Sequence, residues 1–513
     1  MRFIYRQPFL FAALCFSASF ILLYPLYRYV FDFDGIGYMM ITRRLAKGDV
    51  FNAINGCWSP LQSWLLAPVC RLGVNEMTAF KISNGVIGFG ILFFVYRLLL
   101  KTTLSQPLRL AVLLTAIPVI LSYGFFELAG DLLLCLLLLV YLDAVSDQHL
   151  FEKPLKNVWC GVIGALAYFS KAYALPFFII HFSIVQFISW RQSDLFNKNT
   201  LLFRNLLLSI GTLLLLAAPW VYALYVKYHF FTFSYAGTLN MSWELMPNNT
   251  PDIFAIAAPP APGSPGYWED PYFPPPYYNA FSSTRAFIKQ LKVLFRNVTE
   301  ALRCFHLISV LAVCVLLALS AWLLKNKSRL FTVSWLTIMI LPGGYLLMHI
   351  EPRYIWVVTF LILVAGTVLL QQLLAWWQPK RSIKIIAWCI YFGSFLFYPA
   401  SLLKEYANGD RSYTDLANIL NQEQIHGKLA CKWYESLPVQ RVAYLTNNQC
   451  YLIKMADYTY DQLGEQLRKA DIPYYFFYYS SLPELEMFRQ TDFYKSSSPL
   501  HLPRFKLVIV KRR

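Results

Sequence analysis

Long apolar runs recur up to about residue 404, each near the ~20 residues a helix needs to cross a bilayer, with short polar connections between them. The pattern predicts spans at about 8–31, 79–98, 108–123, 128–145, 157–170, 172–190, 205–227, 305–324, 330–348, 354–374 and 383–402. These runs are too continuous for barrel strands, which alternate over about 10 residues. After the first run, Tyr38, Ile41 and Leu45 fall at helical spacing, with Arg43 and Lys47 on another face. That spacing predicts a short amphipathic helix in the interface plane. A second interfacial helix is predicted from Ser59 to about Leu72, ended by Gly73. The longest polar connection, 228–303, includes PGYWEDPYFPPPYYNAF. Its aromatic density predicts an ordered outer loop, followed by an amphipathic helix at about 284–301. Beyond residue 405, helical patterns alternate with short apolar runs (KLACKW, CYLIK, YYFFYY, FKLVIVKR), predicting a small α/β domain with a mostly parallel sheet. The fold class is therefore a polytopic α-helical membrane protein of about eleven transmembrane helices. It divides into a membrane domain at 1–404, with outer loops 31–78 and 228–303, and an extracytoplasmic α/β domain at 405–513.

Composition agrees with the pattern. The 513 residues are 57% hydrophobic and 14% charged, against roughly 25% charged in a soluble domain. The net charge of +17 would point to nucleic acid in a soluble protein. Here the basic residues gather in short connections, such as Arg97/Lys101/Arg109, Lys153/Lys156, Arg191/Lys198/Arg204 and Lys380/Arg381/Lys384, which is the positive-inside pattern. With Arg2 and Arg6 before the first run, that run reads as a retained signal anchor. The N-terminus is then cytoplasmic and the tail outside, in a multi-pass protein of the plasma (inner) membrane. The ten cysteines show no CxxC or Cys/His metal spacing; Cys431 and Cys450 share the tail, and whether they pair stays open.

The candidate chemistry collects on the outer side. Asp32 and Asp34 follow the first span, Glu127 and Asp131 mark the second outer turn, Lys171 the third, and His349, Glu351 and Arg353 a later one. Singly, each has a plain structural reading: a snorkelling cation, a carboxylate at a helix start, a polar interfacial contact. Together they form carboxylates and cations at one membrane depth, where such groups are costly. A carboxylate can serve as general base, and Arg and Lys can bind a phosphate and stabilise its charge as it leaves. Neither role requires a metal. Asp32 and Asp34 could hold a divalent ion through oxygen ligands, but no metal site or other cofactor is predicted. A lipid-linked glycan transporter would place its polar residues at the bilayer midplane, in broken helices and repeats. A polysaccharide polymerase or ligase using a lipid-pyrophosphate donor would share the outer basic residues.

The stretch DGIGY from Asp34 to Tyr38, followed by WSPL from Trp58, resembles the GT-C superfamily of membrane glycosyltransferases. The nearest branch is that of protein O-mannosyltransferases and lipid A aminoarabinose transferases. FELAGDLLLCLLLLVYL, LAYFSKAYALPFF around Lys171 and EPRYIWVVTFLIL from Glu351 extend the likeness in order over roughly residues 8–400. The resemblance implies inverting sugar transfer from a polyprenyl-phosphate donor to a lipid, glycan or protein acceptor on the extracytoplasmic face. Asp34 matches the family's base, Arg43 a basic position on the interfacial helix, and Lys171 and Arg353 positions near the donor phosphate, with His349, Glu351 and Tyr354 beside them. Relatives often carry a second acidic residue where this chain has Gly35, and the aminoarabinose branch has Lys-Pro-Pro where it has Trp58-Ser59-Pro60. The division of roles between Asp32 and Asp34 therefore stays open. Asp34, Lys171, Glu351 and Arg353 are expected to line one outer-facing cavity with a lipid-sized apolar groove beside it.

Overall fold

The computed structural model describes residues 7–245, 256–272, 278–453 and 459–512. Arg2 and Arg6 and part of the proline-rich stretch, 273–277, lie outside the described residues. Leaving aside four-residue turns, the helices before the tail are α1 Pro8–Tyr27, α2 Phe33–Ala46, α3 Leu61–Arg71, α4 Glu76–Leu100, α5 Gln106–Phe126, α6 Asp131–Val145, α7 Pro154–Ser170 and α8 Ala174–Gln192. They continue with α9 Lys198–Tyr228, α10 Ala236–Leu245, α11 Thr284–Ile308, α12 Ala312–Lys325, α13 Arg329–Tyr345, α14 Trp356–Trp377, α15 Arg381–Gly393 and α16 Phe397–Glu405. The tail adds α17 Arg411–Gln422, α18 Ser436–Thr446, α19 Tyr460–Lys469 and α20 Leu482–Gln490 around a sheet.

Each predicted span falls on these helices, two of them (305–324 and 383–402) on a bent pair, but the count of eleven crossings is not reached. Among the described residues, six helices are long and apolar enough to cross a membrane, or up to eight if each bent pair is one span. The difference has a physical source. α6, α7 and α13 have 15, 17 and 17 residues, short of the ~20 a bilayer core asks for. α11 meets α12 at a 98° bend and α15 meets α16 at 44°. α11 begins at the predicted amphipathic stretch, capped by Ser283, whose hydroxyl accepts from the Ala286 amide.

α2 forms over the predicted amphipathic stretch. Gly35 through Thr42, together with Arg44, are buried, so the helix does not lie open on a lipid surface. The tail covers it: Tyr444 of α18 donates to Met39 Sδ and Glu76, and Arg441 donates to the Phe31 carbonyl. α3 ends as expected, with Gly73 at a φ of 95° that only glycine adopts without strain.

In the sheet, β1 Ile256–Ala257, β2 Lys428–Lys432, β3 Gln449–Ile453, β4 Tyr474–Tyr478, β5 Ser497–Leu502 and β6 Leu507–Arg512 lie in the order β1-β3-β2-β4-β6-β5. β2 pairs in parallel with β3 and β4, while β1–β3, β4–β6 and β5–β6 are antiparallel. The sheet is therefore mixed, not mostly parallel. β5 and β6 are joined by a short turn at Pro503–Phe505, too brief for the crossover a parallel pair needs. β1 comes from the long loop and binds that loop to the tail.

Candidate active site

Local rules explain how the site residues are presented. α1 ends at Tyr27, and Asp32 caps α2, one carboxylate oxygen accepting from Gly35 N (2.7 Å) and the other from Leu128 N (2.6 Å). A Cβ at position 35 would stand 2.6 Å from Asp32 Oδ1 and 2.9 Å from Leu128 Cβ, so the glycine is needed for this close approach. Both Asp32 oxygens thus hold backbone, while Asp34, in the first turn of α2, keeps its carboxylate for the interior of the site.

α7 ends at Ser170, and Lys171 leaves it in an extended conformation before α8. Ser170 Oγ donates to the Gly130 carbonyl at 2.8 Å, and any side chain at Gly130 would collide with the Ser170 carbonyl. This contact sets Lys171 against Asp131, the first residue of α6, in an ion pair. Asp131 is 1% exposed, and its second oxygen has no partner among the described residues. Arg353 lies on a 3₁₀ turn, Pro352–Ile355, that leads into α14.

The cluster centres on Arg353. Its Nη2 donates to Asp34 Oδ2 at 2.6 Å, Nη1 to Glu127 at 3.0 Å and Nε to Glu351 at 2.6 Å. Tyr354 presents its ring to Lys171, whose Nζ is 4.0 Å from the ring centroid, a cation–π contact. Tyr345 stacks on Tyr354 at 4.6 Å. Asp34, Asp131, Lys171, His349, Glu351, Arg353 and Tyr354 line one cavity of about 620 Å³, with apolar walls from Leu175, Pro176, Phe233, Leu239 and Met348. The expected juxtaposition of Asp34, Lys171, Glu351 and Arg353 is present. A second cavity of about 380 Å³, lined by Asp32, Glu127 and the tail's Asp410 and Arg441, shares Glu351 and Arg353 with the first.

Arg43 is not at either cavity. Its guanidinium is spent on Glu76 (2.8 and 3.1 Å) and Asn447 (2.9 Å), over the Tyr444 ring, where it joins α2 to α4 and the tail. Glu127 and Asp131 do not cap α6 through side-chain hydrogen bonds; they pair with Arg353 and Lys171. In the tail, the Cys431 and Cys450 sulfurs lie 3.6 Å apart on neighbouring strands, both buried and not joined in a disulfide.

Sequence reasoning did not single out Trp268. Its indole Nε1 donates to Asp34 Oδ1 at 3.0 Å, and its ring stacks on Phe33 at 5.4 Å. Trp58 Nε1 donates to the Trp268 carbonyl at 3.1 Å. The loop that carries Trp268 is pinned on both flanks. Arg44 pairs with Glu269 and donates to Ser264, while Asp270 accepts from Lys227 and Tyr228 and pairs with Tyr235. The only sequence signal was the YWED stretch, whose aromatic density has no spacing that marks one residue.

Burial and neighbouring carboxylates shape the titration. Burial, with Asp34 alongside, raises the Asp32 carboxyl above its ordinary value. Burial also lifts Glu127 well above its usual range against the pull of Arg353, with Asp32, Asp131 and Asp34 adding to the rise. Glu351 goes the other way: burial pushes it up, but the hydrogen bond from His349 (3.0 Å) and the charge of Arg353 bring it down to about 2. The same hydrogen bond raises His349 above its ordinary 6.5.

A pH window follows. His349's contribution is complete below 6.5 and is lost as pH rises through its raised folded value. Glu351's is complete above 4.5 and is lost as pH falls towards about 2. The pair therefore stabilises most between 4.5 and 6.5. The difference in unfolding midpoint between the parent and His349→Gln in detergent should be largest in that window and shrink at alkaline pH. A difference that does not change with pH would contradict the assignment.

Solved structures share this fold, a helical bundle whose first loop is roofed by a small α/β tail. ArnT from Cupriavidus metallidurans bound to undecaprenyl phosphate superposes with a TM-score of 0.60 at 13% identity, covering 97% of each chain. The apo state of the same protein gives 0.56 at 12%, over 97% of this chain and 98% of that one. The archaeal oligosaccharyltransferase AglB from Archaeoglobus fulgidus, in complex with an inhibitory peptide and a dolichol-phosphate, gives 0.54 at 10%, over 93% of this chain and 69% of that one. No family model and no curated protein matches the chain by sequence. The likeness is one of fold.

Proposed function

We propose that this chain is an integral-membrane glycosyltransferase that moves a sugar from a polyprenyl-phosphate donor to an acceptor hydroxyl, with inversion and with Asp34 as general base. The observation that carries the reading is the Asp34–Arg353 ion pair in the larger cavity, with Lys171 and Tyr354 beside it and Arg353 also lining the smaller cavity. The larger cavity has the apolar flank that a prenyl chain requires, and ArnT, which shares the fold, binds undecaprenyl phosphate. The smaller cavity, lined partly by the tail, is assigned to the acceptor.

In this reading the donor phosphate draws on Lys171 and Arg353. Arg353 keeps a further N–H on each Nη beyond its contacts to Asp34 and Glu127, and as it turns towards phosphate it releases Asp34. The acceptor oxygen then attacks the anomeric carbon, the bond from that carbon to the phosphate oxygen breaks, and the hydroxyl proton passes to Asp34. Polyprenyl phosphate leaves with its new negative charge held by the two cations. Donor binding and base release are thereby coupled through one guanidinium. The acidic excess around Arg353 serves the same end, since the carboxylates that hold it give way to a bound phosphate.

The test is transfer by the purified full chain, using a panel of polyprenyl-phosphate sugars with lipid, glycan and peptide acceptors. Consumption of one donor, with stoichiometric release of polyprenyl phosphate, is expected. If every monophosphate donor is inert while a lipid-pyrophosphate glycan is consumed, the polymerase reading replaces this one.

A further inference from the structure

A third cavity, of about 730 Å³, lies at the opposite end of the bundle. α6, α8 and α13 each have one end at the candidate active site and the other at this cavity. Asp131 begins α6, Lys171 precedes α8 and Tyr345 ends α13, while Val145, Gln192 and Arg329 are their far ends. At 1.5 Å per residue the two cavities stand roughly 25 Å apart.

The far cavity is basic and only partly satisfied. Arg329 donates from Nε to the Val145 carbonyl (2.8 Å) and from Nη1 to Ser189 Oγ (2.8 Å), while its Nη2 is buried with no acceptor among the described residues. Arg191 and Lys327 are exposed at the rim. Glu152 is the one carboxylate among the lining residues. Asp147 is paired with Lys153 and Lys156 and Asp143 with Arg97 and Lys101, while Asp194, next to the lining residue Ser193, is exposed. A buried guanidinium N–H without an acceptor is costly and calls for an anionic partner. Arg329 also opens α13, where the helix dipole favours negative charge. Beside these groups the lining turns apolar, with Ile188, Leu323 and Val333.

We propose that this cavity binds a phosphate group, held by Arg329 with Arg191 and Lys327, and that the apolar side of the lining, with Ile188, Leu323 and Val333, receives the first carbons of an amphiphile bearing it. The planar fork of Arg329 suits bidentate phosphate recognition. The site is independent of the sugar-transfer reading, because none of its residues lines the other two cavities.

The experiment uses the full chain in detergent, titrated separately with phosphatidylglycerol, phosphatidylcholine and inorganic phosphate, and followed by native mass spectrometry and unfolding midpoint. Arg191→Gln/Lys327→Gln tests the exposed rim without touching the packed interior, and Arg329→Gln tests the buried donor. The parent is expected to retain phosphatidylglycerol over phosphatidylcholine, with affinity falling roughly tenfold in the rim variant and further in Arg329→Gln. A midpoint shift with inorganic phosphate as large as with phosphatidylglycerol, lost in the rim variant, identifies free phosphate as the ligand. Equal binding of both lipids by parent and rim variant, or no binding of either phosphate probe, overturns the proposal. A purely structural Arg329 would lower the midpoint of Arg329→Gln while leaving the rim variant's phosphate response intact, which likewise overturns it.

Discussion

Asp34→Asn should reduce sugar transfer by about 10²–10⁴-fold, the range associated with a positioned general base, with little change in the amount of folded protein. Asparagine matches aspartate in shape but cannot take the acceptor's proton. It also disturbs the contacts of the resting site. Both Asp34 oxygens accept from donors, Oδ1 from Trp268 Nε1 and Oδ2 from Arg353 Nη2, so one of them would face the amide NH₂ of the variant. The control is Trp268→Phe, which keeps the aromatic stack on Phe33 but removes the indole N–H. It should cost far less activity than Asp34→Asn, because it loosens the carboxylate without removing it. Measured single-turnover rates with saturating donor separate chemistry from binding. Near-parental rates for Asp34→Asn would remove Asp34 as the base and turn attention to Asp131, whose second oxygen is buried and without a partner among the described residues.

The parts of this site that are legible in the sequence are those set by chain position relative to the membrane. Asp34, Lys171 and Arg353 each stand at the end of an apolar run, so run length and loop charge place them on one face before any contact is known. Contacts across long separations are not legible. Asp32 and Asp34 look equivalent in sequence, and what separates their surroundings is the amide of Leu128, 96 residues away, that occupies Asp32. Arg43 has a helical position suited to a substrate-facing cation, yet its partners Glu76 and Asn447 come from other segments and turn it to holding the tail on α2. The burial of α2 was not legible for the same reason, since the helix's own pattern does not reveal that the tail and the Trp268 loop cover it. The mixed sheet was half legible: the apolar runs mark β2, β3, β4 and β6, but β1 is two residues long and β5, SSPLHL, lacks a continuous apolar core.

Arg353→Gln carries the second large effect, on stability and donor use together. Arg353 is 14% exposed and compensates Asp34, Glu127 and Glu351 at once. Removing one partner of a buried ion pair typically costs about 3–5 kcal/mol, and here one substitution strips three carboxylates of their cation. Glutamine retains a donor for only part of that set, so the released carboxylates must take up protons or water. Burial already pushes Glu127 and Asp32 upward, which makes those two the first to protonate. Loss of the cation should therefore be less damaging at low pH: a carboxylate raised further in the variant is neutralised there, and the variant's stability deficit should grow as pH increases. Donor use should remain impaired at every pH, because a neutral amide cannot replace the guanidinium at a phosphate. The two effects are separable by measuring unfolding midpoint and donor KM on the same preparations across pH. A deficit that is flat with pH would show that the carboxylates are not coupled to Arg353 as their geometry requires. An unchanged donor KM would place the phosphate on Lys171 alone.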